Sequence, residues 1–213
     1  MNVERFFYSI VIYSSLLLIP LFSLDASAAV NINKLSASKI KTLDKIEQYL
    51  NNIRNLKADF TQTHQGVKSY GKFYLSRPGK MRIEYNSSQN ILITVNGSIL
   101  TYKDLELDEI SNLSTNTTPA SFLTRKNISF KAKDILIDSL QINKNETSVT
   151  VIKKNRPEAG KFKITFDPQI TSFKRLEVIN EGNESVLVYL SNISYPQSLR
   201  SNLFYIKNNN LPL

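Results

Sequence analysis

One histidine and no cysteine limit the nucleophilic and metal chemistry available to this chain. His64 stands at the end of a predicted strand, and a Ser-His-Asp triad would need it as the general base. The sequence has no Gly-x-Ser-x-Gly segment to expose a serine nucleophile on a strand-to-helix turn. We therefore interpret His64 as a surface or edge histidine and predict that the protein is not an enzyme.

Carboxylates are the other groups that could act as acids or bases. They concentrate in residues 104–109, along a predicted hairpin, where an acidic solvated face is the ordinary interpretation. A carboxylate-pair hydrolase is compatible with these residues, but no motif supports it. A multi-histidine metal site is excluded by composition, and we predict neither a metal nor another cofactor.

Arg77 is the residue whose type and position favour a binding role. Pro78 favours an extended Arg77 and Gly79 permits a tight turn, so the guanidinium should stand at a strand end near the rim of a sheet. Its planar fork of donors can hold several carbonyl oxygens of a helix end or loop at once. The alternative is a strand-end arginine exposed to water.

The elements that would position Arg77 follow from hydrophobic periodicity. Apolar residues at three- and four-residue steps predict a helix from about Ser38 to Arg54. A proline opens a second, short amphipathic helix from about Pro119 to Lys126. Most other segments alternate apolar and polar residues, which is typical of strands with one wet and one dry face. Such strands are predicted around Phe73, Met81, Ile91, Ile99, Ile128, Ile135, Val149, Phe162, Leu176 and Val186.

This many strands predict a mainly β (α+β) fold with a large curved antiparallel sheet. Two helices over its opening would leave an open or half β-barrel with a hydrophobic cavity. A closed barrel or a sandwich, whose apolar faces pack on each other, would give the same alternation. The residues alone leave both architectures open.

The first residues predict export. Residues 6–24 form an almost uninterrupted apolar stretch, and Ala26-Ser27-Ala28 matches a small-residue cleavage site. We predict a signal peptide over residues 1–28, with an uncleaved membrane anchor as the alternative. Residues 29–213 then form a single domain, long enough for a sizeable core without disulfides.

The formal net charge of +9 at pH 7 favours anionic partners. Without residues 1–28, 26 basic and 16 acidic side chains remain. A basic exported protein can approach anionic lipid headgroups or acidic partners. The cations are scattered along strands without an RNP-like motif or a basic helix, so we predict no nucleic-acid partner.

Three segments, in order and spacing, resemble the LolA family, the periplasmic lipoprotein carriers of Gram-negative bacteria. They are Arg77–Tyr85 with a Pro-Gly turn, Ile91–Tyr102 with an Asn-Gly hairpin signal, and Thr118–Leu123 at the short helix. The resemblance implies an open barrel, lidded by helices, that shelters lipoprotein acyl chains. It also implies that Arg77 ties the helical lid to the barrel, so that breaking its bonds opens the cavity.

For a carrier, lipid contacts are expected on the apolar face of the sheet and on the short helix. Weak, mobile burial of acyl chains by aliphatic and aromatic side chains would keep binding reversible. The candidates, which could equally be plain core, are Phe60, Phe73, Leu75, Met81, Ile83, Phe122 and Leu123.

The resulting hypothesis is a monomeric periplasmic carrier of acylated lipoproteins. The resemblance implies loading by an inner-membrane ABC transporter and delivery to an outer-membrane receptor, if one is present. The alternative is a periplasmic sensor or regulator that uses the same fold to bind a lipid or lipoprotein. Carriage predicts a soluble complex that hands on its cargo, whereas sensing predicts a stable partner without transfer.

Overall fold

The computed structural model describes residues 35–86 and 89–206. That part of the chain contains one α-helix, α1 (Ala37–Asn52), and an eleven-stranded sheet. The predicted signal peptide, residues 1–28, lies outside the described residues. The strands are β1 (Asn55–His64), β2 (Val67–Ser76), β3 (Lys80–Tyr85), β4 (Ile91–Asn96), β5 (Ile99–Asp104), β6 (Glu109–Ser114), β7 (Ile135–Ile142), β8 (Thr147–Lys153), β9 (Lys161–Phe166), β10 (Phe173–Ile179) and β11 (Ser185–Ser194).

The sheet is antiparallel, and β1 and β11, the first and last strands along the chain, are neighbours in it. The order across it is β6-β5-β4-β3-β2-β1-β11-β10-β9-β8-β7. β6 and β7 follow each other in the chain but stand at opposite edges, and they do not pair within the described residues. The sheet is curved and not closed, which confirms the predicted open architecture and excludes the closed barrel.

α1 covers the inner face of the sheet, which we define as the face that carries the main core. The predicted apolar stripe of the helix is buried and joins the strand residues in one apolar cluster. The helix ends at Asn52, close to the predicted end at Arg54. The buried stripe consists of Leu43, Ile46 and Leu50.

The register of the strands aligns the apolar positions of the inner face in rows. Phe73 on β2 pairs with Ala58 on β1 and with Ile83 on β3, which pairs in turn with Ile93 on β4. A second row, one pleat along, consists of Leu56, Leu75, Met81 and Val95. Because every second residue points to the same face, alternation in the sequence predicts that these row residues lie inside.

The predicted second helix is shorter and more tightly wound than expected. Residues Pro119–Thr124 form a 3-10 helix, and Lys126 lies outside it. The Thr124 hydroxyl donates to the Ser121 carbonyl at 3.0 Å, and the Thr124 carbonyl accepts from Gly79 N at 2.7 Å. These bonds use groups that a longer helix would need for its own ladder.

The predicted strand at Ile128 is wrong, because this residue lies in the loop before β7. Ile128 is nevertheless 2% exposed. The side-chain amide of Asn51 donates to Ile128 O and accepts from Ile128 N, both at 2.8 Å. The side chain of Asn51 therefore satisfies the backbone N–H and C=O of Ile128, which in a strand would pair with a neighbouring strand.

β4 departs from the expected pattern of one wet and one dry face. Its outer-face residues Leu92 and Thr94 are 7% and 3% exposed. The C-terminal 3-10 helix Ser201–Phe204 packs against β3 and β4, and Arg82 Nη1 donates to Leu203 O at 2.9 Å. The end of the described chain thus covers the outer face of this strand.

Candidate functional site

Arg77 lies at the junction between the sheet and α1. It continues the inward-facing alternation of Phe73 and Leu75 just beyond the end of β2. Its Nε donates to the Ile53 carbonyl at 2.9 Å, and its Nη2 donates to the same oxygen. Ile53 is the extended residue that caps the C-terminus of α1, so the arginine binds this end of the covering helix. A cation is also favoured there by the helix dipole.

The guanidinium of Arg77 is buried rather than solvated. The residue is 8% exposed, so the water-exposed alternative is wrong. Burial, with a smaller effect of the Arg54 charge, lowers the pKa of Arg77 to about 10, which leaves the group protonated at neutral pH. Its Nη1 has no hydrogen-bond partner among the described residues. Moving the Ile53 carbonyl away would leave this buried charge without compensation, which is strongly destabilising.

The turn after Arg77 connects three further parts of the molecule through its backbone. Arg77 N donates to Arg54 O at 2.8 Å, next to the end of α1. Gly79 N donates to Thr124 O at 2.7 Å, and Gly79 O accepts from Gly97 N at 2.8 Å. The turn is therefore bonded to the segment that follows α1, to the Pro119–Thr124 helix and to the β4–β5 hairpin.

α1 is also bonded to the loop between the Pro119–Thr124 helix and β7. In addition to the Asn51 contact with Ile128, the Glu47 carboxylate accepts from Phe130 N at 2.8 Å. The ring of Tyr49 packs edge-on against Phe166 and Phe173, with centroids 5.5 and 5.4 Å away. The covering helix is thus attached by side-chain contacts at several separate points.

Five of the residues predicted to contact lipid lie on the inner face of the sheet, and the other two lie in the Pro119–Thr124 helix. The structure places them in one apolar cluster, in which only Ile83 is half-buried and the others are buried. The Pro119–Thr124 helix contributes two of them, and the ring of Phe122 stacks on Phe130 with centroids 5.8 Å apart. The set is Phe60, Phe73, Leu75, Met81, Ile83, Phe122 and Leu123.

Several side chains of this face were missing from the sequence prediction. Tyr85 continues the alternation of Met81 and Ile83, so periodicity could have found it. Phe130 and Ile128 carry no comparable signal, since they lie in a loop. Their burial depends on the contacts of that loop with α1.

His64 lies at the end of β1, as predicted. Its Nδ1 is 3.3 Å from the backbone oxygen of Ser185 on the neighbouring strand. His64 is half-buried at the end of the central strand of the sheet, so it is not on an edge strand, and its contact is with the backbone.

The acidic hairpin differs from the predicted solvated face at one residue. Asp104 is 2% exposed, and its carboxylate accepts from the backbone N–H groups of Glu106 and Leu107 at 2.9 and 3.0 Å. Asp108 pairs with Lys103 at 2.6 Å. The carboxylates therefore stabilise the turn, and Asp104 is buried because the turn itself supplies its hydrogen bonds.

Within residues 35–86 and 89–206, no three His, Cys, Asp or Glu side chains are grouped to hold a metal ion. The helices of this described part are all too short or too polar to cross a membrane.

The family model "Outer membrane lipoprotein carrier protein LolA" matches residues 51–207, well over half of the chain. The chain belongs to the LolA family. Among LolA relatives, an outer-membrane lipoprotein carrier protein from Coxiella burnetii is 29% identical over 178 residues, covering 76% of this chain and 81% of the relative. An uncharacterized protein from Rickettsia prowazekii is 26% identical over 167 residues, covering 78% and 76%.

The chain is also similar to a solved LolA superfamily protein from Nitrosomonas europaea. The TM-score is 0.44 at 10% identity, with 77% of this chain and 97% of the other covered. The family description supports lipoprotein binding at the level of the family.

Proposed function

We propose that this protein is a non-enzymatic carrier that shelters the acyl chains of lipoproteins released from the inner membrane and delivers them to the outer membrane. Membership of the LolA family supports lipoprotein binding at the level of the family. In this proposal residues 1–28 are a signal peptide that directs the chain to the periplasm, and residues 29–213 act as one monomeric domain. An inner-membrane ABC transporter loads the carrier, and an outer-membrane receptor, if present, accepts the cargo.

The observation that carries the proposal is the contact between Arg77 and the end of α1. Two guanidinium donors of a buried arginine bind the Ile53 carbonyl above the apolar inner face. When the cover opens for cargo these bonds break, and when cargo leaves they form again. A charged hydrogen bond contributes about 1.5–3 kcal/mol, so closing favours unloading.

The ligand in this proposal is held by the seven apolar candidates, five on the inner face of the sheet and two in the Pro119–Thr124 helix. These side chains belong to one apolar cluster that also contains the buried stripe of α1. Moving the cover would exchange those contacts for contacts with acyl chains of similar polarity. Each sheltered methylene is worth about 0.8 kcal/mol relative to water, so partial burial of the chains suffices to keep a lipoprotein soluble.

The test compares wild type with Arg77→Leu in two steps. Tagged protein is incubated with spheroplasts or inner membranes that hold labelled lipoprotein, and the supernatant is examined for a soluble one-to-one complex. The complex is then presented to outer membranes. We expect both proteins to release lipoprotein, and we expect onward transfer to stop in Arg77→Leu because unloading no longer restores the Ile53 bonds.

Arg82→Leu is the matched control, since Arg82 also donates to a backbone carbonyl but lies on the outer face. It should load and transfer like wild type. Failure of the wild type to release lipoprotein from a competent transporter would overturn the carrier and favour the sensor, which would instead show a stable partner. Lipid turnover that depends on His64 would indicate a hydrolase.

A further inference from the structure

Two neighbouring loops beside the cover form a strongly basic surface, here called the basic rim. Residues 125–134 contain four cations and one carboxylate, and residues 153–160 contain three cations and one carboxylate. These segments hold five of the nine net positive charges of the chain. The cations of the basic rim are Arg125, Lys126, Lys131, Lys133, Lys153, Lys154 and Arg156.

The two loops are held together by their own contacts. Lys154 N donates to Asp134 O at 2.9 Å, which joins the segment after β8 to the segment before β7. Arg125 Nη1 donates to the Asp134 carboxylate at 3.1 Å, and this pair lowers the pKa of Asp134. The other carboxylate, Glu158, is exposed. Most of the positive charge is therefore left for an external partner.

Lys153 extends the basic rim across the open side of the sheet. Its ammonium group donates to the backbone oxygens of Thr115 and Asn116, at 3.4 and 3.1 Å, which follow the edge strand β6. Burial and the nearby charges of Arg125 and Arg156 lower the pKa of Lys153. The rim thus runs from one edge of the sheet toward the other.

One loop of the basic rim also contributes apolar side chains to the main core. Phe122, Ile128 and Phe130 are buried at 1–2% exposure, while Lys126 and Lys131, between and beside them, are exposed. The guanidinium of Arg125 lies 5.6 Å from the centre of the Phe122 ring. One loop therefore presents apolar groups to the core and cations to the solvent.

We propose that the basic rim docks this protein on an anionic lipid bilayer, with the cover of the inner face turned toward the headgroups. Five of the seven cations are lysines, and the described part of these loops exposes no aromatic side chain. Protein–protein interfaces are depleted in lysine and enriched in aromatic residues, which argues against an acidic protein as the partner. Clustered lysines on mobile side chains suit the diffuse negative potential of a membrane.

The docking proposal rests on the carrier function in one respect. A carrier must collect and deliver acyl chains that are anchored in a bilayer. The basic rim includes a loop that is bonded to α1, the helix that covers the inner face. Attraction at this edge would orient the opening toward the membrane before the cover is displaced. The attraction should fade with ionic strength, because the Debye length falls to about 8 Å at physiological salt.

The test uses the full chain, purified after any processing by the cell. It measures how much of the protein co-sediments with phosphatidylglycerol–phosphatidylcholine vesicles and with pure phosphatidylcholine vesicles. The rim variant is Lys126→Glu, Lys131→Glu and Lys133→Glu together. The control variant changes three exposed lysines outside the rim and has the same net charge and the same N-terminus as the rim variant. Its substitutions are Lys57→Glu, Lys68→Glu and Lys144→Glu. We expect partitioning onto anionic vesicles to fall roughly tenfold or more in the rim variant and much less in the control.

Equal losses in both variants would overturn the proposal, since net charge would then explain the attraction. Absence of binding by wild type to anionic vesicles, or salt-independent binding, would overturn it as well. Binding of a synthetic diacyl lipopeptide in solution is measured in parallel. If wild type binds the lipopeptide but not the vesicles, only the docking role is contradicted. If wild type does not bind the lipopeptide, the carrier function is contradicted.

Discussion

At the scale of single residues, Gly71 is the position where the inner face depends on a missing side chain. In the register of the sheet it lies between Phe60 on β1 and Tyr85 on β3. The two rings meet edge to face, with centroids 5.1 Å apart. Tyr85 donates to Gln62 Oε1 at 2.7 Å, and burial raises the pKa of Tyr85, so the phenol stays neutral.

Replacing Gly71 with alanine should destabilise the protein. A Cβ at this position would lie 2.1 Å from the backbone oxygen of Glu84 and 2.6 Å from the Phe60 ring. Overpacking of this kind costs about 1–3 kcal/mol, which would appear as a lower midpoint in urea denaturation. Gly182→Ala is the matched control, because the nearest atom there is Asn180 Oδ1 at 3.4 Å. Equal midpoints for the two variants would contradict the prediction.

At the scale of elements, α1 is placed by contacts with partners distant in the chain. Its buried stripe explains why it packs on the inner face, but a stripe alone allows sliding and rotation. Asn51 fixes the helix against Ile128, and Arg77 fixes its C-terminus against the sheet. The polar contacts therefore set the position, and the apolar contacts supply the attraction.

Asn51→Ala should loosen this attachment. The change removes the two hydrogen bonds to the buried backbone of Ile128, and an unsatisfied buried polar group costs about 1–3 kcal/mol. Faster hydrogen exchange at the amide of Ile128, with a lower melting temperature, is the expected result. Asn52→Ala, at the exposed next position of α1, should change neither. Unchanged exchange in Asn51→Ala would show that the loop is held by other contacts.

At the scale of the whole molecule, two buried apolar side chains, here called the outer cluster, lie outside the main core. Phe204 is 1% exposed and Leu92 is 7% exposed, yet neither belongs to the cluster on the inner face. The C-terminal 3-10 helix brings this cluster to the outer face of β3 and β4. The sheet is thus covered on both faces along β4, whereas most of its other outer positions are partly exposed.

Phe204→Ala should destabilise the protein through this outer cluster. Truncating a fully buried phenylalanine costs about 3–5 kcal/mol. Urea denaturation followed by circular dichroism measures the loss. Tyr205→Ala removes a neighbouring ring that is 58% exposed, and it should leave the midpoint nearly unchanged. Similar stability of the two variants would mean that the C-terminal segment does not contribute to the fold.

The faces of the strands were predicted correctly, whereas particular residues in loops and turns were not. Strand faces such as Phe73 and Leu75 were predicted correctly, because alternation is a property of adjacent residues. The Ile128 strand was wrong because an apolar loop residue and a strand residue look alike until a partner is known. Asp104 was expected in water, but its own turn buries and satisfies it.

By itself, the sequence determined the positions of the main helix and most strands, the apolar face of each, and the location of Arg77 at the end of β2. These features depend on local periodicity and turn chemistry. Only the tertiary structure decided that Arg77 binds Ile53, that Asn51 binds Ile128 and that Arg82 binds Leu203. These partners are 24, 77 and 121 residues apart, so chain packing and not local preference brings them together.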